Sequence, residues 1–230
     1  MKYYTKLRKI EEEIEELEHY FVNDYLEPDL HNLPPTIVYL EFNYFYETKE
    51  RVFFPPFLRK LDLPFYYIYP LDNLPDSVES MYVTLRNQPI IFPINLFSLH
   101  VRLEDNSRLP IKYLPKSLKI LKVNNVTTKE DWTKLPNVKD LYIEGKTDVT
   151  KVPNSVKKLT LETKISMLKS PPHLKAFYLT TDNCNLLPIF PANIKRVSIK
   201  CDNMEEVMKQ LKYLPKRVVK PYFSYDMEDE

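Results

Sequence analysis

Residues 113–123 read YLPKSLKILKV, and the spacing inside this phrase decides the fold. After Leu114-Pro115 and a short polar pair, Leu118, Leu121 and Val123 are apolar, with Ile120 and Lys122 at the alternate places. The closing apolar-x-apolar alternation has period 2, which predicts a short strand with one buried face. Leu118, Leu121 and Val123 then point inward, and Ile120 and Lys122 point out. Proline has no N–H to give to a ladder and holds its predecessor extended. Leu-Pro therefore lies outside the sheet and aims the chain into the strand.

The phrase recurs. Aligned on the proline, ten copies run along the chain, among them LPPTIVYLEF (33–42), FPPFLRKLDL (54–63), LPDSVESMYV (74–83), FPINLFSLHV (92–101), VPNSVKKLTL (152–161), FPANIKRVSI (190–199) and LPKRVVKPYF (214–223). Two copies, LPNVKDLYI (135–143) and PPHLKAFYL (171–179), are one residue short before the first core position. The anchoring prolines stand 17 to 24 residues apart, and a spacing near twenty is the period of leucine-rich repeats. One unit cannot bury its apolar face alone, so successive units stack. The predicted fold is a leucine-rich repeat solenoid, mainly β: a curved parallel sheet of about ten short strands with an extended convex side.

Composition narrows the function. The chain has 230 residues, a net charge of +1 and a single glycine, Gly145. Phosphate-cradling loops and dinucleotide fingerprints need several glycines, so they are excluded. No apolar run reaches membrane-spanning length, and the first residues, MKYYTKLRKIEEE, lack a signal-peptide core, so a cytoplasmic, non-secreted protein without membrane association is expected. The two cysteines, Cys184 and Cys201, are too few for a disulfide framework.

The phrase LPxSLxxLxV resembles the repeats of bacterial leucine-rich effector proteins and, more closely, the FNIP-type repeats of amoebae and giant viruses. Leu114-Pro115-Lys116-Ser117-Leu118 and Leu74-Pro75-Asp76-Ser77-Val78 carry the second half of the FNIP signature, and Asn87-Gln88-Pro89-Ile90 its first half. That resemblance implies a protein-binding role, and FNIP proteins often carry an F-box. Only about thirty residues precede the first copy, too few for one. The composition, poor in Gly and rich in Asn, Lys, Tyr, Phe and Ile, resembles that of AT-rich genomes, including large DNA viruses, so a place within a virus particle enters as an expectation.

Solenoid ends need covers. Leu7, Ile10, Ile14, Leu17 and Phe21 are spaced 3, 4, 3, 4, which predicts an amphipathic capping helix over 4–25 within an N-terminal segment 1–32. The repeats follow over 33–223, with a C-terminal cap that includes a helix over 203–213, and residues 224–230 form an acidic tail.

The alternation also predicts the outward face of the strands, which such solenoids use for binding on their concave side. Tyr82, His100, Lys122, Tyr142, Lys158, Tyr178 and Arg196 are the predicted partner-binding residues. Beside them runs a basic ladder of Lys119, Lys139, Lys157, Lys175 and Lys195. Residues 114–200 hold 16 Lys/Arg against 7 Asp/Glu, net +9, while residues 1–31 are net −5. The expected partner is another protein with an acidic surface; nucleic acid fits poorly with the near-zero total charge. The acidic N-terminal helix of one copy meeting the basic middle of another would give self-association. The four histidines, His19, His31, His100 and His173, are scattered over repeats and cap, and no Cys-x-x-Cys, His-Glu-x-x-His or Gly-x-Ser-x-Gly motif is present, so no metal, cofactor or catalytic residue is predicted. The reading is a non-enzymatic interaction scaffold. Its alternatives are a structural component of a larger assembly such as a viral particle, and a substrate-recognition adaptor of a ubiquitin ligase. The aromatic run of Phe45, Tyr46, Phe53, Phe65, Tyr66 and Tyr67 is expected to fill core under irregular repeats.

Overall fold

The computed structural model describes residues 19–22, 29–104, 106–128, 130–165, 169–181, 187–201, 204–211 and 219–221. The chain groups into two compact units, Met1–Thr84 with Gln88–Phe97, and Leu85–Asn87 with Ser98–Glu230. Both are built from the same local device, which starts at the proline. In eight copies the N–H of the first core residue donates to the proline carbonyl three positions back, at 3.1–3.2 Å. The donors are Ile37, Leu58, Val78, Leu96, Leu118, Val156, Leu174 and Ile194, all buried. Proline's missing N–H costs nothing here, because the turn uses its carbonyl. Val138 instead reaches Pro136, two positions back, at 2.6 Å. The copy at 135–143 is thus short, as its sequence indicates. The copy at 171–179 is not: its turn closes on Pro171 rather than Pro172, which restores the full spacing.

The serine of LPxSL also has a structural job. The Ser155 hydroxyl donates to the Val138 carbonyl at 2.8 Å, and that of Ser77 lies 2.8 Å from the Leu58 carbonyl. In both, the acceptor is the first core residue of the preceding copy, so the serine ties one turn to the next. A net 0.5–1.5 kcal/mol is typical of such a bond.

Beyond the turn, the chain enters a strand. The first unit holds β1 (His19–Val22), β2 (Tyr39–Phe42), β3 (Lys60–Asp62) and β4 (Ser80–Leu85). Its pairings β1–β2, β2–β3 and β3–β4 are parallel. Leu40, Leu61 and Met81 form one buried rung. In the second unit come β5 (Ser98–Leu103), β6 (Ile120–Val126), β7 (Asp140–Val149), β8 (Lys158–Ile165), β9 (Ala176–Thr181), β10 (Arg196–Cys201) and β11 (Val219–Pro221), paired in that order and all parallel. Two rungs fill its core: Leu99, Leu121, Leu141, Leu159, Phe177 and Val197, then Val101, Val123, Ile143, Leu161, Leu179 and Ile199. Each such side chain gains about 1.5–3 kcal/mol by leaving water. Only a stacked neighbour provides that shelter.

β6 and β7 are joined through a bulge. Their register runs Val123 to Ile143 and then jumps to Val126 opposite Gly145. Gly145 has φ +145°, a conformation that side chains rarely adopt. Asn125, at φ 59°, turns the chain on the β6 side, and its Nδ2 donates to the Leu103 carbonyl at 2.7 Å. Between the same two strands, a 3-10 turn at Trp132–Lys134 buries the only tryptophan of the chain.

Three expectations need correction. The helix predicted over 4–25 does not hold for 19–22, which form β1 and pair in parallel with β2. The apolar seam assigned to that helix ends on Phe21, yet Phe21 is exposed and Val22 is the buried residue. Period 2 and a partner strand override the heptad pattern there. Leu7, Ile10, Ile14 and Leu17 lie outside the described residues, as does the acidic tail 224–230. The C-terminal helix is present as α1 (Met204–Leu211), with Val207 and Leu211 buried against β10, while Asn203 lies outside the described residues. Finally, β11 pairs Val219 with Val197 and Pro221 with Ile199. The last copy thus sits two residues out of the register that its Leu-Pro implies.

Candidate functional site

The outward side chains of the second unit form three rows across β5 to β10. The middle row is His100, Lys122, Tyr142, Thr160, Tyr178 and Ser198, so four of the predicted residues share one row, three of them side by side. On its leading side lie Ser98, Ile120, Asp140, Lys158, Ala176 and Arg196. Tyr82 belongs to the first unit and is treated with it below.

The cations divide into two kinds. Lys158 is held by Asp140 at 3.0 Å. Lys119 turns its ammonium back onto the Lys116 carbonyl at 3.1 Å, and Lys139 onto Asn137 at 2.6 Å. Among the described residues, Lys122, Lys157, Lys175 and Lys195 form no ion pair. Arg196 reaches the Tyr178 hydroxyl at 3.3 Å. The ladder is positioned by its own backbone. Each of the Lys119, Lys139, Lys157 and Lys175 carbonyls accepts two N–H groups from the following copy, one of them from the next lysine of the ladder. Strand spacing then places successive lysines roughly 4.8 Å apart.

A third outward row was not anticipated: Arg102, Asn124, Glu144, Glu162, Thr180 and, on β10, Lys200. It makes the middle of the face acidic rather than basic. His100 Nε2 and Asn124 Oδ1 are 2.5 Å apart, Asn124 donates to Glu144, and the Tyr142 hydroxyl donates to the same carboxylate at 3.3 Å. Burial, with the charges of Glu162 and Glu144, pushes the Tyr142 phenol well above its ordinary value. Tyr142 is therefore a neutral donor beside two carboxylates. The alternation Leu141-Tyr142-Ile143-Glu144 carries this information, but only when the strand is allowed to run past its second apolar residue. β7 runs ten residues, Asp140–Val149.

The outward face of the first unit is an interlocked network. Tyr39 donates to Asp62 at 2.9 Å, and Lys60 lies 2.6 Å from the Tyr39 oxygen and 3.1 Å from Asp62. His19 stacks on Tyr39 at 4.1 Å and faces Glu41 at 3.5 Å. Burial, then the carboxylates of Asp62 and Glu41, raise the Tyr39 phenol far above its ordinary range. Tyr82 shares a row with Asp62, and its ring lies 6.4 Å from that of Tyr44. The aromatic run does not fill core as expected. Tyr67 alone of the six is fully buried, whereas Phe45, Phe53 and Tyr66 are exposed.

No family profile matches the sequence, and no curated protein matches it. Among solved structures, the chain is similar to one described as the crystal structure of CroV588, a novel circular LRR protein, with a TM-score of 0.58 and 19% identity. The fold is that of a leucine-rich repeat protein. The match covers 78% of this chain and 30% of CroV588, and at that identity it speaks for the fold alone. Leucine-rich repeat architecture accounts for the parallel order, the buried rungs and the recurring turn. Among the described residues, no group of three or more His, Cys, Asp or Glu could hold a metal ion. Of the cysteines, Cys201 is a buried free thiol, and Cys184 lies outside the described residues. No described helix is long and apolar enough to cross a membrane.

Proposed function

We propose that the second unit is a non-enzymatic binding surface for an acidic segment of another protein. The observation that carries this reading is the strip along the leading edge of β8 to β10. Lys157, Lys175 and Lys195 stand there at fixed spacing with no ion-pair partner among the described residues, next to Arg196. A rigid sheet presents these charges without ordering a loop, so binding forfeits little conformational entropy. The partner's carboxylates belong on this strip and not over Tyr142, where Glu144 and Glu162 would repel them. That narrows the predicted site to Lys157, Lys158, Lys175, Tyr178, Lys195 and Arg196.

The test is fluorescence anisotropy with a labelled poly-glutamate peptide, run at low and physiological salt. Reversing three charges together, Lys157→Glu, Lys175→Glu and Lys195→Glu, is expected to weaken binding at least about tenfold, since each exposed pair is worth roughly 0.2–1 kcal/mol. The same three changes made at Lys116, Lys134 and Lys146, which lie off the strip, should leave it intact. Equal losses in the two triple variants would reduce the effect to net charge and end the proposal. Crosslinking and mass spectrometry from the native source would then name the partner.

A further inference from the structure

Three successive turns of the second unit enclose a cleft of about 530 Å³, a volume within the range of small-molecule sites. Its described lining runs from Thr133 through residues 151–154 to residues 169–172. Val152 and Pro171 are buried and Pro153 is half-buried, so the floor is apolar. Pro153 and Pro171 are themselves turn prolines. Their carbonyls accept the N–H groups of Val156 and Leu174 at 3.2 and 3.1 Å, which fixes the floor in place. Lys151 and Lys169 each stand two residues before such a proline, the same place in successive copies. Both are exposed, and both line the cleft.

The lining chooses the ligand. Among the described residues no carboxylate lines the cleft. The nearby Asp131 is already held, by Lys134 at 3.1 Å and by the Thr133 hydroxyl at 2.5 Å. The Ser170 hydroxyl donates to the Ile189 carbonyl at 3.0 Å. Lys151 and Lys169 form no ion pair among the described residues. Two like charges therefore border one cleft, and a ligand with two negative charges offsets their repulsion. A phosphate ester carries about −1.5 to −2 at neutral pH and three acceptor oxygens, whereas a carboxylate brings a single charge. We propose that this cleft binds a small organic phosphomonoester. Its phosphoryl oxygens take Lys151 and Lys169 with the Asn154 amide beside them, and its apolar body lies on Val152, Pro153 and Pro171. Prolines have no N–H to offer, so the phosphate is gripped by side chains and not by a glycine-rich loop. The proposal is independent of the acidic-segment reading, because none of these residues belongs to the strip of Lys157, Lys175 and Lys195.

The experiment titrates phenyl phosphate, inorganic phosphate and benzoate into the full chain. Trp132, next to Thr133 in sequence and the only tryptophan, supplies a fluorescence readout, and the shift in melting temperature supplies a second. Phenyl phosphate is expected to bind at least about fivefold tighter than inorganic phosphate, because its ring adds apolar contact, and at least about fivefold tighter than benzoate, because it adds charge. Lys151→Ala with Lys169→Ala should weaken it about tenfold or more at an unchanged melting temperature of the free chain, and Lys151→Arg with Lys169→Arg should restore most of it. Lys116→Ala with Lys146→Ala removes the same charge away from the cleft and should leave affinity within about twofold. No saturable response in either readout overturns the site. Equal affinity for phenyl and inorganic phosphate overturns the role of the apolar floor and with it an organic ligand. Equal losses in the two alanine pairs also overturn the proposal, since diffuse positive charge then holds the anion.

Discussion

Replacing Gly145 by alanine tests whether the bulge between β6 and β7 is as tight as its geometry says. A Cβ at this position would lie 2.3 Å from the Val126 carbonyl oxygen, 2.4 Å from the Val126 nitrogen and 2.8 Å from its carbonyl carbon. All three are backbone atoms, so no side chain can swing aside. The backbone must also hold φ +145°, which only glycine adopts without strain. Conformational strain of this kind costs about 1–3 kcal/mol. Moving β7 away from Val126 sacrifices one or two ladder bonds, at about 0.5–1.5 kcal/mol each. Together these give a loss of roughly 2–5 kcal/mol, a large share of the 5–15 kcal/mol typical of a folded domain. Trp132 is the natural reporter, being the only tryptophan and buried in the connection between these two strands. Urea unfolding followed by its fluorescence should show a midpoint far below the parent's, with the slope nearly unchanged. A loss under about 1 kcal/mol would refute the reasoning, since it would mean that β7 moves freely relative to β6.

Two other outcomes follow from the same geometry. Ser155→Ala should cost about 1 kcal/mol, because the Val138 carbonyl loses its donor, and Ser155→Thr should recover most of it; unfolding midpoints that do not separate the two variants would contradict the role given to the hydroxyl. Tyr39 and Tyr142 should ionise last when absorbance at 295 nm is followed against pH, because burial and neighbouring carboxylates raise both phenols. With folded values above the unfolded ones, their contribution to stability is complete below about pH 10 and falls away as pH rises past it. Tyr142→Phe should therefore flatten the alkaline loss of stability; a variant that instead removes absorbance change near pH 10 would show an ordinary phenol.

The repeat was legible because its physics is local. A proline, a buried residue three positions on and an alternating strand are all visible within ten residues, and each first core position from Ile37 to Ile194 is buried as the alternation requires. What escaped depends on partners distant in sequence. Gly145 looks like any glycine until Val126 lies across from it. Asn125-Val126-Thr127 matches a glycosylation acceptor as a string of letters, but the Asn125 amide is committed to the Leu103 carbonyl. The N-terminal seam failed at 19–22 because four residues are too few to tell a 3-4 spacing from an alternation, and only pairing with β2 turns Val22 rather than Phe21 inward. The candidate face was half legible. The middle row follows from period 2, but Glu144 and Glu162 join it only because the strands run longer than the motif. Their carboxylates changed a uniformly basic surface into a basic strip beside an acidic centre.

The doubled bonds at the leading edge of each strand have a mechanical consequence. In the second unit the Lys119, Lys139, Lys157 and Lys175 carbonyls each fasten one copy to the next, so the copies are linked in series. Tension applied along the stack loads these fastenings one after another, and a repeat can peel away while its inner neighbour stays closed. Each peeled copy of about twenty residues releases roughly 65–70 Å of chain. Held between two anchored objects, such an array would behave as a step-wise extensible tether, lengthening under load by whole repeats and rewinding from the copies that remain.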